Sequence, residues 1–124
     1  MRKRKPALGD EQAMAFVRVG DFPTAAMADT GTKRSIVDRL IAERAGAKPL
    51  GKTGTMNIAG HRLRGELMRV RIHVPRSGCA ASVDAFVPFT NQPFRKGLIL
   101  GMDFMQKAKL VIDAATGEVY CPRR

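Results

Sequence analysis

Residues 25–31 read Ala-Ala-Met-Ala-Asp-Thr-Gly, so a run of small apolar residues ends on the carboxylate of Asp29, the hydroxyl of Thr30 and the glycine Gly31. Upstream, the apolar and β-branched sequence Ala13, Met14, Ala15, Phe16, Val17, Arg18, Val19 predicts a first strand. Gly20, Asp21, Phe22 and Pro23 carry turn chemistry. The two apolar segments therefore read as a hairpin that delivers Asp29 at its end. An aspartate at a strand end followed by Thr-Gly is commonly no more than a turn, so its meaning depends on what the rest of the chain supplies.

Downstream the period changes. Ile36, Val37, Leu40, Ile41 and Ala45 share one helical face, Ser35 with Asp38 resembles a capping box, and Gly46 stands where a helix-ending glycine belongs, which predicts a short helix over 35–45. A stretch rich in Gly and Thr follows over 51–60 and is able to form a hairpin. Met68, Val70, Ile72 and Val74 alternate with Arg69, Arg71 and His73, the pattern of a half-buried strand, and 83–89 is another strand candidate. Leu98-Ile99-Leu100 is a short, wholly apolar run stopped by Gly101, with a helical turn expected through Phe104, Met105 and Ala108. Residues 110–112 and 119–120 flank Thr116-Gly117 as a last hairpin. Many short strands with one or two short helices make a small, mostly β domain over 13–124, preceded by a basic, disordered tail over 1–12.

The 124 residues fit one domain, and a composition of 44% apolar and 27% charged residues provides a modest core. With no Trp, one Tyr and six Phe, that core is aliphatic and offers little for stacking bases. The net charge is +11, but Arg2, Lys3, Arg4, Lys5, Arg123 and Arg124 hold six of the charges near the ends, leaving about +5 for the body. Nucleic acid is thereby disfavoured as a partner. No apolar run approaches a membrane span, and the basic start leads into Pro6, Ala7, Leu8, Gly9 and Asp10 instead of a signal-peptide stretch, which predicts a soluble, cytoplasmic product without a membrane partner. Cys79 and Cys121 are too few and too far apart to form a zinc site or a disulfide scaffold and read as two free thiols.

Three chemistries fail on spacing. His61 and His73 have no acidic or Cys partner at ligand distance, so no metal or other cofactor is expected, and no His-based nucleophile set can be assembled. Gly51-Lys52-Thr53 matches the tail of a phosphate loop, but Pro49 interrupts the glycine spacing and no strand-to-helix context surrounds it.

What is left is Asp29-Thr30-Gly31 together with Leu98-Ile99-Leu100-Gly101 about seventy residues later, ordered around a Gly/Thr-rich hairpin. This order resembles the retropepsin-like aspartic proteases, the retroviral enzymes and their cellular and bacterial relatives. The resemblance implies a closed, barrel-like acid-protease fold and an endopeptidase acting on protein or peptide. A single Asp-Thr-Gly per chain then requires a homodimer, in which the two Asp29 carboxyls activate one water. Two carboxyls sharing a proton supply acid and base together, as is general for the aspartic-protease dyad.

By the same resemblance Gly31 admits the backbone close to the carboxylate and helps bind an extended substrate, and Thr30 bonds across the dimer. Leu98, Ile99, Leu100 and Gly101 support the catalytic loop, while Asn57, Ile58, Ala59 and Gly60 form a flap over the substrate. The pattern departs at two places. Retroviral members usually continue with Ala and acidic residues where this chain has Thr32, Lys33 and Arg34, and the usual Arg after the second glycine is Met102 here. Asp103 is therefore expected to pair with Lys33 or Arg34, and an exposed Lys33 or Arg34 at the cleft to favour acidic substrates. The other readings are an inactive, protease-like peptide-binding module and a basic nucleic-acid-binding β domain.

Overall fold

A computed structural model describes residues 13–58, 60–90 and 97–122. The tail assigned to 1–12 lies outside the described residues.

The first hairpin forms where the alternation demands it. β1 (Ala13–Val19) and β2 (Phe22–Ala28) pair antiparallel from Ala13↔Ala28 to Val19↔Phe22, which leaves a two-residue turn at Gly20-Asp21. Val17, Val19, Ala26 and Ala28 point inward and are buried. Gly20 has φ +56°, and a Cβ there would lie 2.8 Å from the Ala45 carbonyl oxygen, so both the turn and its contact require glycine.

The helix expected over 35–45 is shorter than predicted. Ile36 and Val37 form a small strand, β3 (Ile36–Val37), and the helix α1 (Arg39–Arg44) begins only afterwards. Ile36 pairs with Phe86 in parallel and with Ile99 in antiparallel, so sheet partners on both sides claim the two β-branched residues. The helix-like periodicity is coincidental: Val37 and Ile41 enter the main core, Ile36 joins a separate apolar cluster, and Leu40 is half-exposed. Gly46, at φ +69°, ends the helix as expected.

The remaining elements are β4 (Lys48–Ile58), β5 (His61–Val74), β6 (Cys79–Pro88), β7 (Leu98–Leu100), α2 (Met102–Ala108), β8 (Val111–Asp113) and β9 (Glu118–Tyr120). Gly51-Lys52-Thr53 lies inside β4, at a register shift between Pro49 and Thr53. The order β1-β2-β7-β3-β6-β5 closes through a β1–β5 pairing at Arg18↔His73 and Val19↔Ile72, giving a six-strand barrel, with β4 added outside β5. Val17, Val19, Val37, Ile72, Val87, Leu98, Leu100 and Phe104 fill it, all essentially inaccessible to solvent. The mostly β, barrel-like class with two short helices is the architecture observed.

Cys79 and Cys121 are joined in a disulfide, which corrects the free-thiol expectation. Their separation of 42 residues carries no spatial information: Cys79 opens β6, Cys121 follows β9, and the fold brings their Cα atoms to 6.0 Å. The β8–β9 ribbon is not hydrogen-bonded into the barrel sheet, and this bond adds a second covalent tie to the body beyond the chain that leads in from α2. Replacing Cys121 with Ser is expected to lower unfolding free energy by about 3 kcal/mol. Urea titrations of the two chains under oxidising conditions measure it, and coincident midpoints would refute it.

Candidate active site

Asp29 sits where β2 runs out, on a loop fastened to both neighbours. Its backbone N–H donates to the Leu100 carbonyl at 3.0 Å, extending the parallel pairing of Met27↔Ile99 and Ala28↔Leu100 by one bond. The Thr32 N–H closes a turn on the Asp29 carbonyl at 3.2 Å. The Met102 and Asp103 N–H groups then reach the carbonyls of Thr32 and Lys33 at 2.8 and 3.0 Å. The loop after β2 and the start of α2 are thus laced together by backbone alone.

The carboxylate is half-buried and oriented by its own loop. Oδ1 accepts the Gly31 N–H at 2.9 Å, and Oδ2 accepts the Thr32 hydroxyl at 3.1 Å. A Cβ at Gly31 would stand 3.2 Å from Oδ1, tight against the group it serves. Thr30 and Gly31 are exposed beside it. Thr32 was not singled out in the sequence except as a departure from the retroviral pattern; its spacing of three from Asp29 is the signal for a turn in which a hydroxyl reaches back to a carboxylate.

Beneath the loop, Leu98, Ile99 and Leu100 are buried and Gly101 is closed in. A Cβ on Gly101 would lie 2.6 Å from the Arg34 carbonyl carbon and 2.8 Å from Ser35 N, which are backbone atoms. Ser35, fully buried, ties the layer together. Its hydroxyl donates to Asp103 Oδ1 at 2.7 Å and accepts the Gly101 N–H at 3.0 Å, while its own N–H donates to the same carboxylate at 2.9 and 3.1 Å. Phe104 N–H adds a further bond to Asp103 at 2.7 Å.

Two expectations change accordingly. Ser35 is not a helix cap, because its hydroxyl is committed to Asp103 and Gly101 beneath the Asp29 loop. Asp103 does not pair with Lys33 or Arg34, because its oxygens are taken by Ser35 and Phe104. Arg34 instead turns to the Asp84 carbonyl at 2.6 Å, and Lys33 is exposed.

The β4–β5 hairpin covers this layer. Pairing runs from Thr53↔Glu66 to Ile58↔His61, and Gly60 beyond it has φ +80°. Ala59 lies outside the described residues, and Asn57 is exposed. Ile58 is 4% exposed and joins a second apolar cluster with Ile36, Phe86 and Ile99, edged by Met27, Met56, Leu63 and Leu67. This cluster links the hairpin tip to the strand that leads to Asp29, and no local pattern announces it, because Ile36 carries a helical period in the sequence. At the hairpin's foot, Arg39 donates to Glu66 at 2.7 Å and to the Pro88 carbonyl at 2.9 Å, and its guanidinium lies over Phe89 at 5.4 Å. These contacts join the hairpin to α1.

Among the described residues no cluster of three or more His, Cys, Asp or Glu is placed to hold a metal ion, and no helix is long and apolar enough to cross a membrane.

Residues 15–104 match the sequence model of a family described as aspartyl protease. The chain belongs to the retropepsin-like aspartyl proteases. Among solved structures, EIAV protease in complex with the inhibitor HBY-793 superposes with a TM-score of 0.62 at 22% identity, covering 81% of this chain and 92% of that one. The retroviral protease-like domain of Ddi1 from Leishmania major superposes with a TM-score of 0.56 at 16% identity, covering 90% of this chain and 82% of that one. No curated protein matches the sequence. At these identities the superpositions establish the fold, and the membership of the family rests on the sequence match. In this retropepsin-like chain the Asp-Thr-Gly loop, the apolar support strand and the covering hairpin occupy one side of the barrel layer around Ile36, Phe86 and Ile99.

Proposed function

We propose that the chain is a homodimeric aspartic endopeptidase in which the two Asp29 carboxyls of a twofold pair activate a water between them. The observation that carries this reading is the arrangement of Asp29 itself: a half-buried carboxylate gripped by Gly31 N–H and the Thr32 hydroxyl on a loop hung from Leu100. Such a carboxylate is preorientated, and one per chain calls for a second copy.

In the dimer one carboxylate takes a proton from water as its oxygen attacks the peptide carbonyl carbon. The other carboxyl gives its proton to the carbonyl oxygen, forming a gem-diol. Collapse of the diol breaks the C–N bond as the nitrogen receives a proton, leaving a new carboxyl and a new amine. Thr30 would bond across the axis and hold the two loops in register. Substrate would lie extended between the catalytic loop and the 57–60 hairpin, reading the Gly31 backbone on one side and the hairpin on the other.

Dimer dependence gives the test. In a fluorogenic peptide-library assay, initial rate is expected to rise with the square of protein concentration below the dimer dissociation constant and linearly above it, with the break matching sedimentation equilibrium. Cleavage strictly proportional to concentration in a chain that sediments as a monomer would overturn the reading.

A further inference from the structure

Lys33 and Arg34 open onto a cavity with two cations that the sequence keeps far away. Together with Arg69 from β5 and Lys107 from α2 they line a space of about 610 Å³. Two carboxylates share that wall and offset half of the four positive charges, which leaves the lining net cationic. Asp103 is occupied by the Ser35 and Phe104 donors. Asp84 accepts from Arg69 at 2.9 Å. That hydrogen bond holds Asp84 below the usual carboxylate range, with the charges of Arg69, Arg34 and Lys107 adding to it against partial desolvation.

Two of the remaining cations are oriented by backbone carbonyls without being neutralised. Arg34 gives one N–H to the Asp84 backbone carbonyl at 2.6 Å, and Lys107 gives one to the Ser82 carbonyl at 2.8 Å. Lys33 is exposed, and its ammonium makes no hydrogen bond or ion pair among the described residues. Arg34 and Lys107 each keep further N–H donors for a ligand. Converging cations with donors to spare in one cavity select an oxyanion.

Location decides which one. Lys33 is four residues beyond Asp29, and four residues of extended chain span at most about 14 Å. An extended substrate advances about 3.3 Å per residue, so the cavity lies within about four substrate residues of the scissile bond. The cavity lining contains no aromatic ring on which a base could stack. We infer that this cavity is a subsite that takes an acidic side chain of the polypeptide substrate, up to about four residues from the bond cut. The inference rests on the peptidase reading, and it moves the acidic preference expected at the cleft to a pocket beside it.

The test uses two fluorescein-labelled Gly/Ser undecapeptides, one with three consecutive Glu and one with three Gln, followed by anisotropy at low and physiological salt with the full chain. The Glu peptide is expected to bind at least about tenfold more tightly at low salt, with the advantage shrinking as salt rises. Lys33→Glu and Lys107→Glu are each expected to bring the two peptides within about twofold. Arg18→Glu makes the same change in net charge outside the cavity and is expected to keep the preference. Circular dichroism confirms folding, and Lys107→Gln repeats the test with a milder change. Equal binding of the two peptides, or equal loss in Arg18→Glu, overturns the subsite. So does a single-stranded oligothymidine that alone binds and alone responds to these variants.

Asp29→Asn separates the two readings, because it is expected to retain the Glu preference while losing cleavage. Glu-selective binding by a chain that never cleaves any library member overturns the peptidase and leaves the subsite. Cleavage indifferent to Glu at every position within four residues overturns the subsite and leaves the peptidase.

Discussion

Asp29→Asn is expected to lower kcat for peptide cleavage by about 10²- to 10⁴-fold with little change in stability. The substitution is nearly isosteric, and an amide oxygen can still accept the Gly31 N–H that Oδ1 accepts at 2.9 Å. What an amide cannot do is take a proton from water or pass one on. The effect should therefore fall on kcat more than on KM, since the hairpin and the Gly31 backbone that would hold the substrate are untouched. Mixing gives a second readout. When parent and variant are combined in equal amounts and exchange freely, about a quarter of dimers carry two Asp29 residues, and activity should track that fraction. Activity proportional to the amount of parent chain, undiminished by the variant, would mean each chain works alone. A variant that cleaves as well as its parent would remove Asp29 from the mechanism altogether.

How much of this could be read from the sequence depends on whether each feature is local. The Ala13–Val19 and Phe22–Ala28 hairpin was legible because a period of two and a Gly-Asp turn are neighbouring signals, and Leu98–Leu100 because three buried apolar residues before a glycine leave few other readings. Features set by long-range pairing were not. Ile36 and Val37 carry a helical period, yet β6 and β7 capture them in a sheet, and nothing nearby announces those strands. Ser35 was read as a cap because Asp38 follows it at the right interval, whereas its hydroxyl meets partners 66 and 68 residues away. Cys79 and Cys121 were separated by the same blindness to distance. Around Asp29, the carboxylate and its glycine were found by motif and the Thr32 hydroxyl was not.

The largest stability loss is expected from Asp103→Ala. Its carboxylate accepts from Ser35 N, Ser35 Oγ and Phe104 N at 2.7 to 3.1 Å, and Ser35 is fully buried, so removing it strands two Ser35 donors that only water drawn in from the adjoining cavity can reach. Each unsatisfied buried donor costs about 1–3 kcal/mol, and bonds to a charged acceptor lie at the upper end, which puts the sum at about 3–6 kcal/mol. For a domain of this size that is a large share of the total stability. The loss should also reach the site, because Ser35 Oγ holds the Gly101 N–H and the Met102 and Asp103 N–H groups hold the loop carrying Thr32 and Lys33. Asp103→Asn keeps one carbonyl acceptor and should fall between the two, with kcat reduced while KM changes little in whatever fraction stays folded. Chemical denaturation of the three chains, with activity per folded dimer measured beside it, reads both consequences. If Asp103→Ala unfolded at the parent's midpoint, the Ser35–Asp103–Gly101 network would not be what holds the Asp29 loop. If it lost stability while keeping full activity per folded dimer, the network would support the barrel without positioning Asp29.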